Sequence, residues 1–194
     1  WQPDITLNGY ANALLLEPDL LNEIQGIPHV EGAYGTAYLE NVPATSTREG
    51  IDHVNLMSYT DYLLDSVADS VVEGDLSAIY GNNGQVMTIS NKDNPLQVGD
   101  TIQIGGKEVT ITCAVSDGVY SSEYSVICSA ETFEWLTGET NYSLIGIQLD
   151  ADADDETIRQ INNLVSGDVI LDDLRQSNQE DAATYLAAQF VLYS

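Results

Sequence analysis

The densest run of ionisable side chains is Asp150-Ala151-Asp152-Ala153-Asp154-Asp155-Glu156, a spacing that invites calcium chemistry. A calcium loop of the helix–loop–helix type needs glycine at its sixth position for the sharp turn and a bidentate glutamate at its twelfth. Counting from Asp150, those positions hold Asp155 and Ile161, so the run fails the test. Carboxylates gathered at a helix N-terminus, where the backbone dipole favours negative charge, account for the same residues. His29 and His53 are the two histidines, and neither stands at metal-ligand spacing from the other or from a cysteine. No zinc-protease helix, glycine-rich phosphate loop or nucleophile elbow occurs, and no residue is assigned to catalysis, cofactor binding or metal ligation.

Cys113 and Cys128 lie in two apolar, β-like runs. A hairpin centred between Tyr120 and Ser121 would set them opposite one another, at a separation a disulfide accepts. Two readings stand: a cross-strand bridge formed in an oxidising compartment, or two small buried thiols. Tyrosine is frequent, with 11 residues. Tyr34, Tyr38, Tyr59, Tyr62, Tyr80, Tyr120 and Tyr124 would suit either a carbohydrate platform or ordinary amphipathic packing at strand ends. Asn141-Tyr142-Ser143 matches a glycosylation acceptor, a pattern too short to carry weight.

The chain of 194 residues carries 31 acidic and 5 basic residues, for a formal charge of -26. Such a field repels polyphosphate and anionic headgroups, and no basic patch with interleaved aromatics is present, so no nucleic-acid partner is expected. With 43% hydrophobic residues the chain can bury one good core or two small ones. No apolar run approaches the roughly 20 residues of a membrane-spanning helix. Trp1-Gln2-Pro3-Asp4 opens in polar sequence with no basic-then-apolar leader, which reads as a piece of something longer.

The elements that position these residues show an interrupted repeat. Leu14 to Ile24 reads as strand, acidic helix start and helix, and Ile147 to Ile158 reads the same way. Pro18 suits the first helical turn, Leu20, Leu21, Ile24 and Ile27 form a stripe, and Gly26 and Pro28 end it. Strands follow each helix, at 30–39 and 168–171. Further strands are expected within 5–16, at 51–58, 86–90, 101–104 and 107–112, the last two joined through Gly105-Gly106, whose positive-φ freedom suits a two-residue hairpin turn. Helices are expected at 60–72, from about 130 to 137, at 153–165, and from 174 onward.

The order VGDTIQIGGKEVTITCAV (98–115), YSVICSAETFEWLTG (124–138) and IGIQLDADADDETIRQI (145–161) resembles the extracytoplasmic domain of FtsX/MacB-type ABC transporter permeases, the MacB-like periplasmic core. IQGIPHVEGA (24–33) and VVEGDL (71–76) fit the same pattern, although residues 91–97 shorten one edge of the insert. The resemblance implies an α+β fold. A split, ferredoxin-like β-α-β lobe, called porter-like, spans 1–76 and 141–194, and a strand-rich, sabre-like lobe is inserted at 77–140. It implies no catalytic residue and no cofactor, ATP being bound by a separate cytoplasmic ATPase. The implied partners are that ATPase, reached through transmembrane helices before Trp1 and after Ser194, a second permease copy, and an unidentified substrate or partner protein. The implied location is the outer side of the cell membrane. A free-standing surface module binding carbohydrate or cationic peptide is the alternative, and a hydrolase with dispersed catalytic residues the least favoured.

Overall fold

The computed structural model describes residues 2–116 and 123–180. The strands join one mixed sheet in the order β11-β1-β10-β2-β4-β9-β6-β8-β7-β3, with β5 added beside β8. Its first part contains β1 (Ile5–Gly9), β2 (Val30–Pro43), β10 (Leu144–Leu149) and β11 (Val169–Asp173), all antiparallel, with α1 (Pro18–Gln25) after β1 and α4 (Asp155–Asn163) after β10. The order β11-β1-β10-β2 is that of a ferredoxin-like split β-α-β lobe, as the sequence predicts. The α+β class is likewise as expected.

Alternation explains its core. Ile5 and Leu7 on β1, Ala33 on β2 and Ile145, Ile147 and Leu149 on β10 face the helices, where they meet Leu21, Ile24 and Ile161. Burying an aliphatic side chain of this kind contributes about 1.5–3 kcal/mol. β1 stops at Gly9, where a Cβ would sit 2.2 Å from the Ala13 carbonyl oxygen. Ala11 and Asn12 then take positive φ, and Leu16 returns only as an isolated bridge to Tyr142, so the strand expected within 5–16 occupies its first half.

β2 is the spine of the molecule. Its first half pairs with β10 and its second with β4 (His53–Tyr59). An extra residue between Leu39 and Val42, with Asn41 at φ 54, bulges the strand there. β4 then pairs in parallel with β9 (Ser125–Ser129), and β9 meets β6 (Gln85–Ser90). β6 pairs in parallel with β8 (Lys107–Ser116), which forms the expected hairpin with β7 (Thr101–Ile104) through Gly105 and Gly106, both at positive φ. The last strand, β3 (Thr45–Ser46), starts two residues after β2 ends, so the sheet curls until its far edge meets the continuation of its own spine. β3 and β4 lie within the span 1–76 expected for the first lobe, yet they hydrogen-bond to strands of the middle segment.

The curled sheet has an apolar inside of Val54, Leu56, Val86, Ile102, Val109, Ile111, Val126 and Cys128, closed by Phe133 and Leu136 of α3 (Ala130–Thr137). Its outer face carries Tyr59, Met87, Ile89, Cys113, Val115 and Ile127 under α2 (Asp61–Ser66). The expected helix at 60–72 is broken. After α2 comes a 3-10 turn at Ala68–Ser70 and then β5 (Val71–Gly74), because Val71, Glu73 and Gly74 pair with β8. The Gly-Asp turn also gains a physical account. Gly99 takes φ 99, and the Asp100 carboxylate accepts from the Gln97 amide at 2.9 Å and from Arg48 Nε at 2.6 Å, tying the β3 end of the curl to β7.

Candidate functional site

The residues singled out in the sequence do not converge. Cys113 and Cys128 are both free and buried, with β6 lying between their strands. β8 carries an extra residue, Thr112, opposite the step from Val86 to Met87. Val109 and Ile111 accordingly face the inside of the curl with Cys128, whereas Cys113 and Val115 face outward. Simple alternation would have set Cys113 on the side of Cys128; the bulge reverses it. The hairpin expected between these strands is thus replaced by separate pairings with β6, and its turn, at Tyr120 and Ser121, lies outside the described residues. Burial raises both thiol pKa values, and Cys128 donates weakly to the Met57 carbonyl at 3.4 Å.

The acidic run organises a helix start. Asp154 N-caps α4 by accepting from the Thr157 amide at 3.2 Å, with Thr157 Oγ1 completing the capping box. The amide hydrogen bond from Thr157 holds the Asp154 carboxyl below the usual range. Asp150 accepts from the Asp152 amide at 2.9 Å, and His29 Nδ1 lies 3.2 Å from its carboxylate. Among the described residues, no group of three or more histidine, cysteine, aspartate and glutamate side chains is placed to hold a metal ion. His53 contacts Asp52 at 2.6 Å and packs on Tyr124, on the far side of β2 from His29. Among the described residues the singled-out tyrosines do not form a platform: Tyr34 and Tyr59 are buried, Tyr38, Tyr62, Tyr80 and Tyr124 are half-buried at separate places, and Tyr120 lies outside the described residues. In the acceptor-like triplet, Asn141 donates to the Leu14 carbonyl and buried Ser143 donates to the Thr36 carbonyl.

What the fold does bring together is the stretch around residues 3–5 and the stretch around residues 173–178. β1 and β11 pair so that Ile5 stands opposite Asp173. The Asp4 amide donates to the Ile147 carbonyl at 2.9 Å, and the Leu174 amide donates back to the Asp4 carbonyl at 2.7 Å. The Asp4 carboxylate accepts from the Leu149 amide at 2.8 Å and from Gln148 Nε2 at 3.0 Å. Residues 175–180 are helical, and Asn178 Nδ2 donates to the Pro3 carbonyl at 3.3 Å. Arg175 grips Asp173 with Nε at 3.0 Å and a terminal nitrogen at 2.7 Å, while the Arg175 amide donates to the same carboxylate. Hydrogen bonding to Arg175 holds the Asp173 carboxyl below its ordinary range against the opposing effect of partial burial. The segment entering the lobe and the segment leaving it are therefore fastened to each other and to the end of β10. Sequence reasoning could bring the termini to one lobe, but Asp4, Asn178 and Arg175 gave no motif to find.

No family model matches the sequence. No curated protein matches it either. Solved structures do. The chain is similar to the periplasmic region of MacB from Actinobacillus actinomycetemcomitans, with a TM-score of 0.69 and 12% identity over 92% of each chain. It is also similar to the extracellular domain of the noncanonic ABC-type transporter YknZ from Gram-positive bacteria, at a TM-score of 0.61 and 13% identity, covering 87% of this chain and 98% of that one. A domain of a putative permease protein from Porphyromonas gingivalis matches at a TM-score of 0.55 and 13% identity, over 86% and 85%. The chain shares the fold of these three domains. Among its described residues, no helix is long and apolar enough to cross a membrane.

Proposed function

We propose that the chain is a non-catalytic extracytoplasmic domain of an ABC-type permease, which transmits ATP-driven movement of membrane helices to a substrate or partner protein outside the membrane. The observation that carries this reading is the fastening of residues 3 and 4 to residues 174 and 178. Two membrane helices attached at such a point would move one rigid lobe, and β2 would carry that movement into the curled sheet with no linker between. The shared fold with periplasmic and extracellular permease domains supports the same reading. ATP would be bound and hydrolysed on a separate cytoplasmic ATPase, and a second permease copy would complete the assembly. The domain itself would need no cofactor.

The test uses the full-length protein in intact cells. In a full-length background with any cysteine outside this chain replaced, Asn163→Cys places a thiol on the exposed end of α4, while Cys113 and Cys128 are buried. A membrane-impermeant maleimide should label this variant without lysis, and the protein should co-purify with an ABC ATPase. Labelling only after lysis, or an assembly with no ATPase, overturns the proposal.

A further inference from the structure

Between the two halves of the sheet lies a cavity of about 370 Å³, within the size range of small-molecule sites. Thr6 and Leu144 line it from the helix-free face of the first lobe, Leu63 and Val67 from α2 and the turn after it, and Ile89 and Val115 from the outer face of the curled sheet. Leu63, Val67, Ile89 and Val115 belong to the apolar cluster under α2, so the cavity opens directly onto a core. At its rim are Pro3 and Leu174, one from each fastened stretch.

Its chemistry is set by what is missing from the wall. In a chain of charge -26, none of the described residues lining this cavity is charged. Three other concavities on the same surface each include Asp or Glu: Asp61 and Glu131 in one, Asp4 and Asp150 in another, Asp155 and Asp173 in the third. The polar residues that do line it are neutral, among them Gln2, Thr6, Ser66, Ser70 and Ser116. A carboxylate or phosphate entering would lose water, meet no cation, and sit in the field of the surrounding acids. A cationic head would find no carboxylate to pair with among the described lining residues. Apolar walls with scattered hydroxyls suit an apolar chain ending in a hydroxyl or ester group.

We infer that this cavity is a binding site for an uncharged, single-chain amphiphile of the monoacylglycerol type. The inference does not rest on the transporter reading, because the 194-residue chain either holds such a molecule or does not, whatever it is attached to. The test is displacement of the neutral fluorescent probe N-phenyl-1-naphthylamine from the 194-residue chain by three 12-carbon amphiphiles, all below micelle formation. Monolaurin should displace the probe saturably, laurate should bind at least tenfold more weakly, and dodecyltrimethylammonium should bind no more tightly than monolaurin. Leu144→Asp, which sets a carboxylate on the wall, and Ser66→Trp, which narrows the exposed rim, should each weaken monolaurin at least tenfold. Exposed Ser66 donates to the Leu63 carbonyl within its own helix, so Ser66→Trp keeps the test alive should Leu144→Asp fail to fold. The site is overturned by absence of saturable displacement, by equal affinity for laurate, or by wild-type affinity in a folded Ser66→Trp protein. Tighter binding of the cationic amphiphile overturns it as well, since the acidic surface would then be the receptor.

Discussion

Cys113 and Cys128 show how one residue decides a question that spacing leaves open. The extra Thr112 turns Cys113 to the outside of the curled sheet while Cys128 stays inside, and β6 stands between their strands. Unreduced protein denatured in guanidinium should titrate two thiols per chain with Ellman's reagent, and reductant should leave the melting temperature unchanged. Zero thiols would contradict the pairing. In the native protein both thiols should react slowly, because burial raises their pKa values and keeps them protonated. A second residue-level consequence concerns acid. Asp173, held by Arg175, has a folded pKa below its unfolded value of about 3.9, so its contribution is present above that pH and is lost as pH falls through the folded pKa. The Asp173 side chain is 36% exposed, so screening keeps the contribution small. Relative to Asp173→Asn, wild-type protein should keep a constant melting advantage from pH 7 to about pH 5, and that advantage should vanish toward pH 2. An advantage that grows on acidification would reverse the assignment.

Single elements were more legible than their partners. Pro18, Gly26, the acidic start of α4 and the Gly105-Gly106 turn each act through local backbone chemistry, so their elements could be read from the chain. The ferredoxin-like order could be expected from two β-α-β units. What local pattern cannot carry is which strand pairs with which across 70 residues: β4 with β9 in parallel, β6 between β8 and β9, and two-residue β3 against β7. Val71 and Val72 fall at the end of the helix that the sequence predicts over 60–72, and only the pairing of Val71, Glu73 and Gly74 with β8 makes the segment extended. Likewise the fastened stretches depend on Asp4 and Asn178 reaching backbone groups more than 140 residues away, which no spacing records. Ser129 joins local and distant demands. It caps α3 by accepting from the Thr132 amide at 3.0 Å and donates to the Gly81 carbonyl at 2.5 Å while fully buried. Ser129→Ala should cost about 1–2 kcal/mol in urea unfolding, with an unchanged denaturant slope. A loss below about 0.5 kcal/mol would show that the cap carries little.

At the scale of the molecule, the fold gathers an unscreened burden of charge around a body that has to act as one piece. With 31 carboxylates against 5 cations, most acids have no cation to pair with, and two exposed carboxylates about 7 Å apart repel by about 0.6 kcal/mol in water. The stretch from Asp150 to Glu156 concentrates this repulsion beside Asp4 and Asp173, at the end where the chain enters and leaves. Helix capping and the Arg175 grip offset it locally, but the remainder acts over a distance that salt controls, about 10 Å at 0.1 M. Raising sodium chloride from about 0.02 to about 0.5 M should therefore stabilise the folded chain by about 1–2 kcal/mol, or about 2–8 °C in melting temperature. Calcium chloride at matched ionic strength separates screening from a specific ion site. The acidic run is engaged in capping α4 rather than arranged as a calcium loop, so the calcium curve should follow the sodium curve once divalent screening is allowed for. A calcium gain that saturates at micromolar concentration, and that Asp150→Asn abolishes, would instead place a real cation site at the end where both chain segments are fastened.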